Sequence, residues 1–167
     1  MAAVEHYLAE TDVHPIDIVE TLAEQSSWDF DRVGEDQIAV AIEGAWRIYS
    51  LSLAWSGHDD MLRLLCTFEM NPPEARLNEF HRLLNIVNDK IWGGGFTLWR
   101  EQGLLAYRCG LTLAGGAHVT PEQVESMLHS AIALSERFYP AFQLVGWSGD
   151  SAEEAAKIAI DEAYGTA

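Results

Sequence analysis

The apolar positions along the chain change period several times, and each change marks a boundary between element types. In "TDVHPIDIVETLAEQ", Ile16, Val19 (with Ile18) and Leu22 recur at helical spacing behind Pro15, which suits an early helical position, so a first helix is predicted. The period then drops to two. Trp28 and Phe30 alternate with Asp29 and Asp31, and Ile38, Val40 and Ile42 alternate with alanines. Tyr49, Leu51, Leu53 and Trp55 share one face of a third run, with Ile48, Ser50, Ser52 and Ala54 on the other. A fourth run gathers Leu62, Leu64, Cys66 and Phe68 opposite Arg63 and Thr67. Short turns around Gly34, Gly44 and Gly57 join these four predicted strands, and links of that length make neighbours antiparallel.

Asn71-Pro72-Pro73 closes the meander. Leu77, Phe80, Leu84, Val87 and Ile91 then step by three and four, a stripe for burial against a sheet. Two more strands follow, "GFTLWRE" and "GLLAYRCGLTL", joined at Gln102-Gly103. A third helix starts at Thr120 with Pro121 and Gln123 arranged as a capping box, and Pro140 should kink or end it. The last segment, "GDSAEEAAKIAIDEAYG", reads as a short helix or a tail. The predicted order is α-β-β-β-β-α-β-β-α: an α+β domain with helices on an antiparallel sheet. It divides into an acidic arm at 1–14, one domain at 15–147 and an acidic segment at 148–167.

Three consecutive glycines, Gly93 to Gly95, raise the question of a phosphate loop. Such a loop leaves a strand and enters a helix N-terminus, where backbone N–H groups face the anion. Here the order is reversed, and a helix C-terminus repels phosphate. The run is therefore read as a stop, with Gly93 or Gly94 left-handed and Gly95 freeing the turn.

Charge narrows the partners. The chain carries −16, and residues 1–36 hold ten acidic side chains against Arg32 alone. A chain this negative is repelled by nucleic acid and by anionic membrane surfaces, so neither is expected as a partner. No stretch approaches the length of a membrane helix and the first residues lack a secretory pattern, which predicts a cytoplasmic protein. Cys66 and Cys109 lie inside strand-like runs and read as small core residues.

Candidate chemistry is sparse. "VGWSGDS" approaches a nucleophile elbow through Gly146 and Ser148, but Asp150 stands where glycine is needed and no strand precedes it. His58, Asp59 and Asp60 are contiguous on a turn, an arrangement that seldom converges on one ion. No catalytic set, metal site or cofactor is expected. Arg63 and Arg108 fall on the strand face opposite the apolar one, where they can receive a partner's carboxylates or pair locally with Glu69, Glu101 or the acidic arm. Of six tryptophans, Trp28, Trp55 and Trp99 are expected in the core. Trp46 and Trp147, with Ile48, suit an interface, since tryptophan supplies much contact area from one side chain.

The segment "LNEFHRLLNIVNDKIWGGGFTLWREQGLLAYRCGL" resembles the YbjN-type family of bacterial sensory transduction regulators, through Leu84, Asn85, Asn88, Gly95, Phe96, Gly103, Tyr107 and Arg108. The likeness extends over residues 15–145. The resemblance implies a fold like that of type III secretion chaperones, which are small, acidic, often dimeric proteins that bind other polypeptides without ATP. It therefore implies a non-catalytic protein-binding module, acting as a homodimer. The alternative is a small-molecule or enzymatic pocket between sheet and helices near Trp99, Tyr107 and His129.

Overall fold

The computed structural model describes residues 13–164. The predicted acidic arm lies almost wholly outside the described residues. Helix α1 (Pro15–Gln25) is opened by His14, whose Nδ1 accepts the Ile16 N–H at 3.1 Å. Strands β1 (Asp29–Arg32), β2 (Gln37–Glu43), β3 (Ile48–Ser56) and β4 (Met61–Glu69) form an antiparallel meander. After a turn at Glu74–Arg76 come α2 (Leu77–Lys90), β5 (Gly94–Trp99) and β6 (Leu104–Thr112). Helix α3 (Pro121–Gln143) and α4 (Ala152–Tyr164) complete the described chain, with a π turn at Leu144–Ser148 between them. All six strands belong to one sheet in the order β1-β2-β3-β4-β6-β5. Fold class and element order are those predicted from the periodicity.

One face of this sheet holds the core. Ile38, Leu53 and Leu64 form a cross-strand row, and Val40, Leu51, Cys66, Tyr107 and Phe96 form the next. Both rows are buried under α1, α2 and α3. Phe96 anchors an aromatic cluster, its ring centroid 5.3 Å from that of Tyr107 and 5.5 Å from that of Phe142. Offset and edge contacts of this kind add to the gain from burial alone.

Helix α4 packs chiefly on α2 and α3, through Ala152, Ala155, Ala156 and Ala159, so it is a second helical layer rather than a cover for the sheet. Alanine at these four positions lets the helix axes approach closely. Side chains at the start of α2 hold it. The Glu79 carboxylate accepts the Ala152 N–H at 2.8 Å, and Arg82 pairs with both Glu79 and Glu153. Arg76 donates to the Val145 carbonyl at 2.8 Å and the Asp150 carbonyl at 2.6 Å, clamping the π turn. The Ala152 bond and the nearby Arg82 and Arg76 charges hold the Glu79 carboxyl below its ordinary range.

Two local expectations are corrected. Helix α3 does not end at Pro140; it runs on to Gln143, and the irregular backbone appears as the π turn just beyond. A proline removes one N–H and crowds the carbonyl four residues earlier, a loss the tertiary packing of Phe138, Ala141 and Phe142 absorbs. Helix α2 already stops at Lys90, with Ile91 extended, so Gly93 is not its cap. Gly93, at φ +83°, instead swings the chain into β5.

Candidate functional site: the open face of the sheet

The opposite face of the sheet carries no helix among the described residues. Its middle is three cross-strand rows, the second and third of which run on to edge strand β1. Gln37, Ala54, Arg63 and Gly110 form the first, and Ala39, Ser52, Leu65, Arg108 and Gly95 the second. Ala41, Ser50, Thr67, Ala106 and Thr97 form the third. With Asp31 beside Ala39 and Asp29 beside Ala41 on β1, and Glu43 and Glu69 in the row beyond, the face carries two arginines and four carboxylates. Small side chains dominate, and a hollow of about 950 Å³ lies over the first two rows. Gln37, Arg63, Arg108 and Trp99 are among the residues around it.

The two arginines sit on the adjacent strands β4 and β6, one row apart, so their guanidinium groups share one region of the face. Arg63 is paired with Asp59 in the β3–β4 turn. Arg108 is exposed, and its side chain has neither an ion-pair nor a hydrogen-bond partner among the described residues. Arg47, by contrast, is taken up locally: it donates to the Glu69 carbonyl at 3.2 Å and stands 3.6 Å from the Glu69 carboxylate.

The glycine run serves this face and its edge. A Cβ on Gly94 would fall 2.4 Å from Tyr107 Oη and 2.7 Å from the Arg108 carbonyl, so only glycine fits beside β6. One on Gly95 would meet Asn88 Oδ1 at 3.4 Å. The Asn88 amide is committed there: it accepts the Phe96 N–H at 2.8 Å and donates to the Phe96 carbonyl at 3.0 Å. Both main-chain polar groups of that residue in edge strand β5 are thereby satisfied by a side chain of α2.

Of the remaining interface candidates, Ile48, 64 % exposed, continues the open face beside Glu43, and Trp46, 58 % exposed, stands at the β2–β3 turn with its ring stacked on Tyr139 at 6.3 Å. Trp147 is half-exposed in the π turn. The structure thus brings Arg63 and Arg108 together, and separately Trp46 and Ile48. Reading the sequence missed Trp92, 93 % exposed just before β5. Its position between the end of α2's apolar stripe and three glycines was the available signal.

Trp99, Tyr107 and His129 do not converge. Trp99 borders the hollow on the open face, Tyr107 is buried on the covered one, and His129 is exposed on α3. Trp28 and Trp55 pack against the core as expected, whereas Trp99 does not enter it. A strand alternates its side chains, and Phe96 on the core side puts Trp99 on the other. A separate groove of about 550 Å³ lies between α3 and the β1–β2 side, lined by Trp28, Ile42, Leu128 and Ile132, with Glu122, Glu125 and His129. Among the described residues no three His, Cys, Asp or Glu side chains gather as a metal site. The thiols are held protonated by burial, Cys66 pushed up to about 12 and Cys109 to about 11.

Comparison with known proteins then decides the family. A family described as "putative bacterial sensory transduction regulator", YbjN, matches residues 15–144. The chain belongs to the YbjN family. No curated protein matches it in sequence. Among solved structures it is similar to the crystal structure of YbjN from E. coli, described there as a putative transcription regulator, with a TM-score of 0.50. That likeness covers 90 % of this chain and 92 % of the other at 12 % identity, and it shows the fold alone. Within this YbjN-family chain, the residues that carried the resemblance have mostly architectural duties. Leu84, Phe96 and Tyr107 are core, Asn88 and Gly95 finish the β5 edge, and Gly103 takes φ +65° in the β5–β6 turn. Arg108 is the one among them that offers a charge to the open face. No helix among the described residues is long and apolar enough to cross a membrane.

Proposed function

We propose that this chain is a non-catalytic regulatory module that works by holding a segment of another protein against the open face of its sheet. The observation that carries this reading is the face itself: mostly small side chains on its middle strands, the exposed Arg108 with Arg63 beside it, and a hollow above them. An antiparallel sheet covered on one side leaves the other free for a partner. The partner segment that fits is apolar along one side, to meet Leu65 and the alanines, and carries carboxylates for Arg108 and Arg63. The regulator description of the family supports the same reading. The module acts as a homodimer, with the exposed Trp46 and Ile48 as the surface available for self-association.

Affinity capture from cells with the wild-type chain and with Arg108→Glu tests the binding face. A protein retained by the wild type and lost by the variant, with unchanged thermal unfolding, is the expected result. Equal recovery by both removes the open face from the reading. Light scattering tests the dimer: a mass of one chain, about 18.6 kDa, at micromolar concentration removes that part.

The groove beside Trp28 favours a second reading, a small-molecule site. Its apolar floor and acidic lip suit a cationic amphiphile. A thermal-shift series with such compounds checks it, because a ligand of the native state raises the unfolding temperature by mass action.

A further inference from the structure

The second row of the open face has a charge of opposite sign at each end. Across the sheet it runs Asp31, Ala39, Ser52, Leu65 and Arg108, on β1, β2, β3, β4 and β6. Asp31 and Arg108 are both exposed, and neither side chain has an ion-pair or hydrogen-bond partner among the described residues. Four strand spacings, ~19 Å, separate them, so they do not meet within one chain.

Ser52 stands midway between the two charges. A twofold axis along β3 therefore lays the row over its own reverse: Ser52 on Ser52, Ala39 on the second copy's Leu65, and Asp31 on the second copy's Arg108. The ion pair is made twice, as an isologous contact requires. The same rotation sets Gln37 against the second copy's Arg63 in the first row, and alanine against threonine in the third. In the row beyond, Glu43 comes opposite the second copy's Glu69, a like pair that Arg47, 3.6 Å from Glu69, offsets. Shape agrees with charge. The hollow is lined mostly from β4, β5 and β6 and by no residue of β1, and the rotation brings the second copy's β1–β2 margin over it. Two sheets of one twist stack face to face with their strands nearly aligned.

We propose that two copies of this chain pack open face to open face about a twofold axis along β3, each Asp31 paired with the second copy's Arg108. This geometry deepens the reading above: it gives the homodimer an arrangement in which Ile48 continues the shared surface. It rests on that reading where it makes the second copy a competitor for the protein partner's site. Five strands by three rows cover roughly 500 Å² on each copy and roughly 1,000 Å² in all, the lower bound of a specific interface. Such a dimer parts on dilution and leaves the face free for the partner.

Sedimentation velocity on the full chain, over a concentration series, tests the geometry by exchanging charges. Asp31→Arg alone sets two cations together at both ends of the row, and Arg108→Glu alone sets two carboxylates together. Each variant should raise the dissociation constant of the dimer by about tenfold or more, since like charges across an interface are costly. An equimolar mixture of the two variants should return to the mass of two chains, because the mixed pair has opposite charges at both ends; that recovery also shows both variants folded. A wild type that keeps the mass of one chain at the highest concentration it tolerates overturns the proposal. So do single variants that dimerise as the wild type does, which moves the contact to another surface, and losses in both that mixing does not recover. Capture of a protein partner is a separate readout, and its failure refutes the partner's site while leaving this arrangement standing.

Discussion

The two faces of the sheet are made from the same strands, residue by residue in alternation, yet they differ in almost every physical respect. Leu64 is buried beneath helices, while its neighbour Leu65 is half-buried on a surface without one. Cys66 lies in the core and Thr67 does not; Tyr107 packs on Phe96 while the Arg108 side chain has no ion-pair partner among the described residues. The covered face is large, apolar and sealed, and stability resides there. The open face carries smaller and charged side chains, and large apolar groups there would have favoured aggregation. The division shows that a strand can answer two demands at once, provided its register is held.

The largest expected effect breaks the covered side of this pair. Leu64→Ala should cost about 2–5 kcal/mol in urea unfolding, from lost transfer energy plus the cavity left behind. Leu65→Ala, one residue along, should cost roughly 1 kcal/mol or less, because its surroundings are already partly wet. Equal losses would mean that the face described as open is sealed in solution.

A smaller effect is tied to pH and confined to the helical side. The Glu79 carboxyl is held below its ordinary range by the Ala152 N–H and the nearby arginines. A group with a lowered folded pKa contributes stability above its unfolded value, and that contribution is lost as pH falls through the folded value. The urea midpoint of the wild type should therefore exceed that of Glu79→Gln at neutral pH, and the gap should close below the usual carboxylate range of about pH 4. A gap that stays constant into strong acid would show that Glu79 does not hold α4 through its charge. The smallest effect sharpens the other side: Arg108→Ala should leave stability within about 0.5 kcal/mol, since it breaks no side-chain hydrogen bond or ion pair among the described residues.

Much of this division was legible in the chain. Period-two alternation placed Ile38, Val40, Leu51, Leu53 and Leu64 on one face and Arg63 and Arg108 on the other, because side-chain direction in a strand follows from position alone. The helical stripe of α2 was equally plain. What could not be read was anything that depends on how distant elements meet. Trp99 looked like core because tryptophan usually is, but strand parity sends it to the open side. Pro140 looked like a stop, and packing of the surrounding aromatic residues carried the helix past it. The acidic, alanine-rich last segment offered no sign that Arg76, Glu79 and Arg82, about seventy positions earlier, would clamp it. Arg108 could be placed on its face from sequence, but not its lack of a counter-ion among the described residues.

The amide of Asn88 has a consequence for how copies of this chain can assemble. A sheet margin with free N–H and C=O groups invites another strand to add on, and proteins guard such margins with charge, proline or a covering element. Strand β5, "GGFTLW", has neither charge nor proline, and it runs on from a bare tryptophan. With Phe96 already satisfied from α2, a newcomer laid along β5 would find its central rungs taken. Fibril-like stacking and a continuous intermolecular sheet are both disfavoured at that margin.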